Sequence, residues 1–456
     1  MKTANIVFLL SALFSVQANA APKFHLAFAP DRDSNATAAL QFEALTFTQP
    51  VDETSGKTFV QHAYFSSTYA HGTNSPVIFY VGDEGPLTEG DLDAILSARA
   101  QQLGAYVVGI EHRYYGQSTP TVTSAKDLQA LTSERALADF ATIERKIIAD
   151  RGLTGPWFAY GGSYGATMAA YYRMVYPELV QGAFAFSPPI QVTEAGLTQY
   201  ETFASQAFGD ALSAKVRAAT TYILNLTKDI AGKVKVQNLL GLPNADFSTD
   251  DIAAILVTTI PEISQYGNIG TLSASLTDGQ APADAAAALG QVLASSGARW
   301  WDETPYGLRN DPTFSDETSR WVFEAYNEFG WMYVTDPVAT RSLLPQPVTM
   351  DYYAKQYQMI FGSPLMHESA FSAQMQKIFE QTATRILTVN GTIDPWMATS
   401  LPNLQDTNRQ MISVVVQGGS HCVGGFDALT SAGDPAYAAQ QEFFQLFKSW
   451  SGSPLF

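Results

Sequence analysis

A serine hydroxyl is a weak nucleophile until a neighbouring base takes its proton and an acid holds that base in the correct tautomer. Gly161, Ser163 and Gly165 form a GxSxG pattern, preceded by the apolar stretch 158–160 and followed by the small residues Ala166, Ala169 and Ala170. This reads as a buried strand, a sharp turn and a helix. Side chains at the flanking positions would collide in such a turn, which lifts the hydroxyl above the sheet edge. The first free N–H groups of the helix then face whatever the serine attacks. An ordinary glycine-rich turn is the alternative reading, and the presence of an acid and a histidine decides between them.

Asp394 lies four residues past the apolar run 385–390, and His421 lies five past the run 411–416. Serine, acid and histidine at successive strand ends are the order an α/β-hydrolase requires. Singly, Asp394 reads as a turn residue before Pro395 and His421 as a surface histidine; jointly they complete a triad. Of the six histidines only His112 also ends a strand, and it precedes the serine. The expected oxyanion donors are the backbone N–H of Tyr164 and that of Glu84 or Gly85, in the loop 82–86; Pro86 has none to give. The carboxylates of Asp83 and Glu84 either face the substrate cleft or supply loop polarity.

The elements that must position these residues follow from hydrophobic period. Residues 44–49 and 59–65 read as antiparallel leading strands around a turn at 52–57. Continuous apolar runs at 77–81, 105–110, 157–160 and 182–186 alternate with helical patterns, among them Leu92, Ile95, Leu96 and Leu103, then Leu137, Phe140, Ile143 and Ile147 with Ser133 as cap. Fully apolar strands between helices predict a mostly parallel sheet covered on both faces. Between 190 and 381 the rhythm gives way to Ala-rich helical stretches (205–229, 282–296) and to Trp300, Trp301, Trp321 and Trp331. The fold expected is α/β, an α/β-hydrolase core of residues 21–189 and 382–456 with a helical cap at 190–381 over the catalytic edge. Asp434 and Pro435 are expected to start a last helix that presents Phe443, Phe444 and Phe447 to the core.

Composition bounds the rest. Residues 1–20 read as a secretory signal, with Lys2, an apolar run 6–16 and Ala18-Asn19-Ala20 before cleavage. No other run approaches the roughly 18 apolar residues of a membrane span. A secreted, lysosomal, vacuolar or periplasmic protein is expected. The charge of −17 argues against nucleic acid and anionic membrane as partners. Cys422 is the single cysteine, so no intrachain disulfide exists and the core must supply stability. Sequons stand at Asn35, Asn225 and Asn390. No cofactor or metal is expected.

The sequence resembles the serine peptidases that include lysosomal Pro-Xaa carboxypeptidase, dipeptidyl peptidase II and the thymus-specific serine peptidase. The resemblance rests on Gln49-Pro50-Val51-Asp52, Gly82-Asp83-Glu84-Gly85, Glu111-His112-Arg113-Tyr114-Tyr115-Gly116-Gln117-Ser118, Arg135 to Asp139, Gly161 to Gly165 and Asn390 to Trp396, in that order. Asn327-Glu328-Phe329-Gly330 resembles that family's CTEFG stretch, closest to the thymus-specific branch, with Asn327 beside a tyrosine where the pattern has cysteine. Val423 to Phe426 departs from members that carry an Asp soon after the histidine. The resemblance implies an α/β-hydrolase with a helical cap, peptide substrates cleaved beside proline and exopeptidase action; the partners expected are peptide substrates, with a homodimer left open. A proline pocket needs apolar aromatic walls, for which Trp331 and Trp396 are candidates; Glu84 or Glu328 would hold a substrate amine if cleavage is from the amino end. A lipase or carboxylesterase with the same triad, and a binding protein on a hydrolase fold, are the rival readings.

Overall fold

Eight strands form one sheet in the order β1-β2-β4-β3-β5-β6-β7-β8. They are β1 (Glu43–Pro50), β2 (Thr58–Ser66), β3 (Val77–Val81), β4 (Tyr106–Ile110), β5 (Trp157–Gly162), β6 (Gly182–Phe186), β7 (Ile386–Gly391) and β8 (Met411–Val416). β2 runs antiparallel to both β1 and β4, and every pairing from β4 to β8 is parallel. The computed structural model describes residues 38–190, 194–243, 246–295, 304–310, 314, 316–335, 342–365 and 369–452. The expected leader 1–20, Asn35, Trp300 and Trp301 lie outside the described residues.

β3, β4, β5 and β6 are buried along their whole length, which is why they read as unbroken apolar runs rather than alternating ones. One face is covered by α1 (Glu89–Leu103) and the C-terminal helix Tyr437–Ser451, through Leu92, Ile95, Phe443, Phe447 and Trp450. The other is covered by α2 (Ser133–Arg151) and α3 (Ser163–Val175), through Leu137, Phe140, Met168 and Tyr172. Each fully buried side chain of this size is worth about 1.5–3 kcal/mol against exposure, so the two layers hold the sheet without a disulfide.

Two helix starts differ from expectation. The cap of α2 is Thr132, whose hydroxyl accepts from Arg135 N, and Ser133 is already helical. The last helix begins at Tyr437; Asp434 instead receives Ala436 N in the turn before it. A side-chain acceptor works from either place, so sequence alone does not separate cap from pre-helical turn.

Between β6 and β7 the described residues build helices and no strand: α4 (Glu194–Leu226), α5 (Ile230–Leu240), α6 (Thr249–Gln265), α7 (Ile269–Ser275), α8 (Pro282–Ser295), α9 (Pro305–Asn310), α10 (Glu317–Glu324), a π turn (Ala325–Phe329), α11 (Met350–Phe361) and α12 (Ala370–Gln381). The helical stretch expected over 205–229 is broken inside α4 at Gly209, whose φ of 76° and ψ of 165° are not helical, and it ends at Leu226, before Asp229 receives Gly232 N and caps α5. α6 is buried from Asp251 almost throughout and packs on α4, and its C-terminal end reaches the loop after β7.

Candidate active site

The glycines of the elbow are demanded by contact. A Cβ on Gly161 would stand 2.2 Å from Gly165 O, and one on Gly162 would stand 2.4 Å from Phe426 Cζ. Gly165 has slightly more room, at 3.2 Å from Val81 O. Ser163 itself has φ of 54°, the left-handed region that costs a non-glycine residue about 1 kcal/mol or more. The turn therefore stores strain to place one hydroxyl at the head of α3.

Two strands further along the sheet, the loops after β7 and β8 meet. Gly391 permits this, since a Cβ there would be 2.1 Å from Gly419 O, and Ile393 N donates to that same carbonyl at 3.1 Å. The contact sets His421 Nδ1 2.7 Å from Asp394 Oδ2, while Oδ1 receives Trp396 N at 3.0 Å. Asp394 is wholly buried and the His421 side chain is 7 % exposed, so the pair opens outward only through the imidazole. Burial presses the imidazole towards neutrality, but the adjacent Asp394 carboxylate overrides it and raises the pKa well above the ordinary value. The backbone of His421 is held from two sides: its N–H donates to Gln265 O at the end of α6, and Cys422 N donates to Ser187 Oγ just past β6. Among the described residues Nε2 has no hydrogen-bond partner, so a contact with Ser163 is not formed in this conformation.

The loop after β3 lies against the first turn of α3, with Asp83 Cβ 3.3 Å from where a Gly165 Cβ would be. Gly82 N donates to Ile110 O, and Leu87 N donates to Glu111 Oε1 at 3.1 Å. Glu84 and Gly85 are thus carried on a loop fixed at both ends to the edge of β4. Burial pushes the Glu111 carboxyl up to about 7, against the pull of the Ser118 hydroxyl that it accepts.

A family model described as serine carboxypeptidase S28 matches residues 48–283 and 304–439. The chain belongs to that family. The S28 chain is 26 % identical to the thymus-specific serine protease of Mus musculus, over 88 % of this chain and 85 % of that one. It is 38 % identical to the lysosomal Pro-X carboxypeptidase of Pongo abelii over 33 % of each chain. Solved structures it resembles include a peroxisomal α/β-hydrolase of Saccharomyces cerevisiae, with a TM-score of 0.41 at 12 % identity, covering 92 % of this chain and 91 % of that one. They also include an acylaminoacyl peptidase of Pyrococcus horikoshii, with a TM-score of 0.39 at 12 % identity, covering 90 % of this chain and 42 % of that one. The protein is a serine peptidase, a hydrolase, and its eight-stranded, mostly parallel sheet between helices is an α/β fold with the serine at a strand-to-helix elbow.

Beside Tyr164 and Asp394 the S28 chain gathers aromatic rings from several elements. Trp331 stacks on Phe329 at 4.4 Å and stands 5.4 Å from Trp396, and the ring of Tyr164 lies 6.2 Å from it. Trp321, Ala325, Tyr326 and Tyr333 complete a small recess with these two tryptophans. Trp396 Nε1 donates to Gln265 Oε1, which fixes the wall beside Asp394. Of the four residues expected to touch substrate, Trp331 and Trp396 therefore share one recess. Glu328 lies apart from it: its carboxylate receives Ser133 N at the start of α2, where a helix N-terminus favours negative charge. Burial still raises the Glu328 pKa to about 6.

The recess lining does not include Glu324, the residue that sequence reading passed over. It is fully buried at the end of α10, its oxygens 2.7 Å from the Tyr115 hydroxyl and 2.8 Å from that of Tyr164. A glutamate within a helical pattern reads as solvent-facing, and only its spacing of four from Glu328 hints at a shared inward face. Gln265 carried no signal at all. Asn390 is buried inside β7, so its sequon presents no amide at the surface. Among the described residues no cluster of His, Cys, Asp and Glu could hold a metal, and no helix is long and apolar enough to cross a membrane.

Proposed function

We propose that the protein is an exported exopeptidase that hydrolyses peptide bonds beside proline through a Ser163 acyl-enzyme. The observation that carries the reading is the 2.7 Å pairing of His421 with buried Asp394 at the sheet edge where Ser163 is held in left-handed geometry. His421 Nε2 takes the Ser163 proton as Oγ attacks the carbonyl carbon, and returns it to the leaving amine as the C–N bond breaks. Water then repeats the sequence and releases the acyl group. Asp394 keeps the Nδ1 proton in place, and the N–H groups of Tyr164 and of Glu84 or Gly85 receive the oxyanion.

The helices between β6 and β7 act as the cap, and substrate choice resides in the aromatic side chains that meet at Trp331 and Trp396, whose recess has room for about one water and has to widen to admit a pyrrolidine ring. A pyrrolidine ring is rigid and apolar, so it loses little entropy on entering aromatic walls. The family membership and the relatives named for Pro-X carboxypeptidase activity support this choice. Export rests on the leader expected at residues 1–20.

One experiment tests both halves. Wild type and Ser163→Ala are labelled with a fluorophosphonate probe, then incubated with proline-containing peptides whose ends are free or blocked, and the products are weighed by mass spectrometry. Labelling and cleavage vanish together in Ser163→Ala if the reading holds; persistent labelling removes Ser163 as nucleophile. Cleavage of esters with no turnover of any proline peptide removes the peptide half.

A further inference from the structure

Behind the elbow, four side chains from three elements share a buried chain of hydrogen bonds. His112, just past β4, has Nδ1 2.7 Å from Arg113 O and Nε2 3.1 Å from the Tyr164 hydroxyl. That hydroxyl is 2.8 Å from Glu324 Oε1, and Glu324 Oε2 is 2.7 Å from the Tyr115 hydroxyl. His112, Tyr115, Tyr164 and Glu324 are each fully buried.

Counting protons constrains this chain. A carbonyl can only accept, so His112 Nδ1 carries a proton. If the imidazole is neutral, Nε2 has only a lone pair and must receive the proton of Tyr164. Tyr164 has one proton, so its oxygen must then accept from Glu324, whose carboxyl has to be protonated on Oε1. The remaining oxygen, Oε2, accepts from Tyr115. The alternative is an ion-pair arrangement, in which His112 Nε2 is protonated as a buried imidazolium and the negative charge stands on Glu324, 3.6 Å away, or on the Tyr164 oxygen.

Burial decides between the two arrangements, because separated charges lose water without regaining it. Burial lowers the His112 pKa to about 3 and raises that of Glu324 to about 8, the latter against the two tyrosine hydroxyls. The other ionisable neighbours push the same way: Glu328 of the π turn and Glu84 of the loop after β3 both disfavour a further negative charge at Glu324. Arg113, beside His112, disfavours a positive one there.

We propose that Glu324 is a positioning residue kept as an uncharged carboxylic acid, which donates to Tyr164 and so bolts α10 to the residue whose backbone N–H lines the oxyanion hole. The assignment of that N–H rests on the function proposed above. Tyr164 is gripped from both sides, by His112 of the sheet and by Glu324 of the inserted helices, and its main chain cannot turn away from the elbow while both grips hold. An amide has the same shape as the neutral acid and offers both a donor and an acceptor, so glutamine is the conservative replacement.

The test uses the full-length protein. Glu324→Gln is expected to keep kcat and KM within about threefold, and Glu324→Ala to lower kcat about ten- to a hundredfold with KM within about threefold, the mark of a lost transition-state contact. Nitrogen-15 NMR of the imidazoles, with His112 identified by its loss in His112→Gln, is expected to show the neutral Nδ1–H tautomer from pH 5 to 8. An imidazolium at His112, or Glu324→Gln as impaired as Glu324→Ala, overturns the proposal, as does full kcat in Glu324→Ala. If Glu324→Ala does not fold, Glu324→Gln and the NMR signal decide. The NMR readout needs no turnover, so it stands even if Ser163 proves not to be the nucleophile.

Discussion

Asp394 has two tasks that can be separated by one atom. Oδ1 holds the loop through Trp396 N, and Oδ2 faces His421 Nδ1. In Asp394→Asn the shape survives, but an amide nitrogen at the Oδ2 position would meet the Nδ1 proton and force the wrong tautomer. A fall in kcat/KM of roughly a thousand- to ten-thousandfold is expected, with secondary structure unchanged by circular dichroism. Retained activity would show that the imidazole is oriented by other groups. Of these residues, the strand-end positions of Ser163, Asp394 and His421 and the meeting of the last two were expected from chain order, since each follows an apolar run, and their roles belong to the function proposed above. Glu324 and Gln265 were not, because a helical polar residue gives no sign of which buried group it meets.

At the scale of elements, the signature residues Arg113 and Asp139 turn out to be partners in construction. Arg113 donates through Nε and Nη2 to Asp139, through Nη1 to the carbonyls of Val51 and Ala130, and through Nη2 to Pro50 O. All five of its N–H donors are thereby used, tying the β1–β2 turn and the segment before α2 to α2 itself. Lysine has three donors and no planar fork. Arg113→Lys is expected to lose about 2–4 kcal/mol in denaturant unfolding, while probe labelling of Ser163 at 25 °C persists in the folded fraction. A loss under about 0.5 kcal/mol would mean the turn is held otherwise. The strands were read from sequence within one residue at most ends, because burial on both faces gives the inner strands β3 to β7 an apolar run, while β1, mostly exposed, was read from its pairing with the strand after the turn. Helix starts at Thr132 and Tyr437 were displaced, since serine, threonine and aspartate serve equally as caps or as turn formers.

The molecule as a whole hides several carboxyls that water would ionise. Burial raises Glu144 and Glu324 to about 8 and Glu111 to about 7, each despite hydroxyl groups that favour the charged form. A raised folded pKa means the native state holds the proton more tightly than the unfolded chain. The stability this brings is complete below the unfolded value near 4.5 and is lost as pH rises through 7 to 8. His112 works oppositely, but above about pH 6.5 it is neutral in both states and adds no slope. His421, raised by Asp394, has the same sign as the acids. The Tm is therefore expected to fall between pH 6.5 and pH 8 at constant ionic strength, and Glu144→Gln should flatten part of that fall. A Tm that climbs across this interval would contradict the burial of these acids.

The N–H of His421 rests on Gln265 O, at the end of a helix made long before the histidine and long after the serine. Competence therefore has a schedule. When Ser163 leaves the ribosome neither its base nor the support of that base exists, and the base arrives only with the last strand of the sheet. On the function proposed above, a chain still being translated carries its nucleophile before the group that activates it, so the order of synthesis itself delays activity until the last strand is in place.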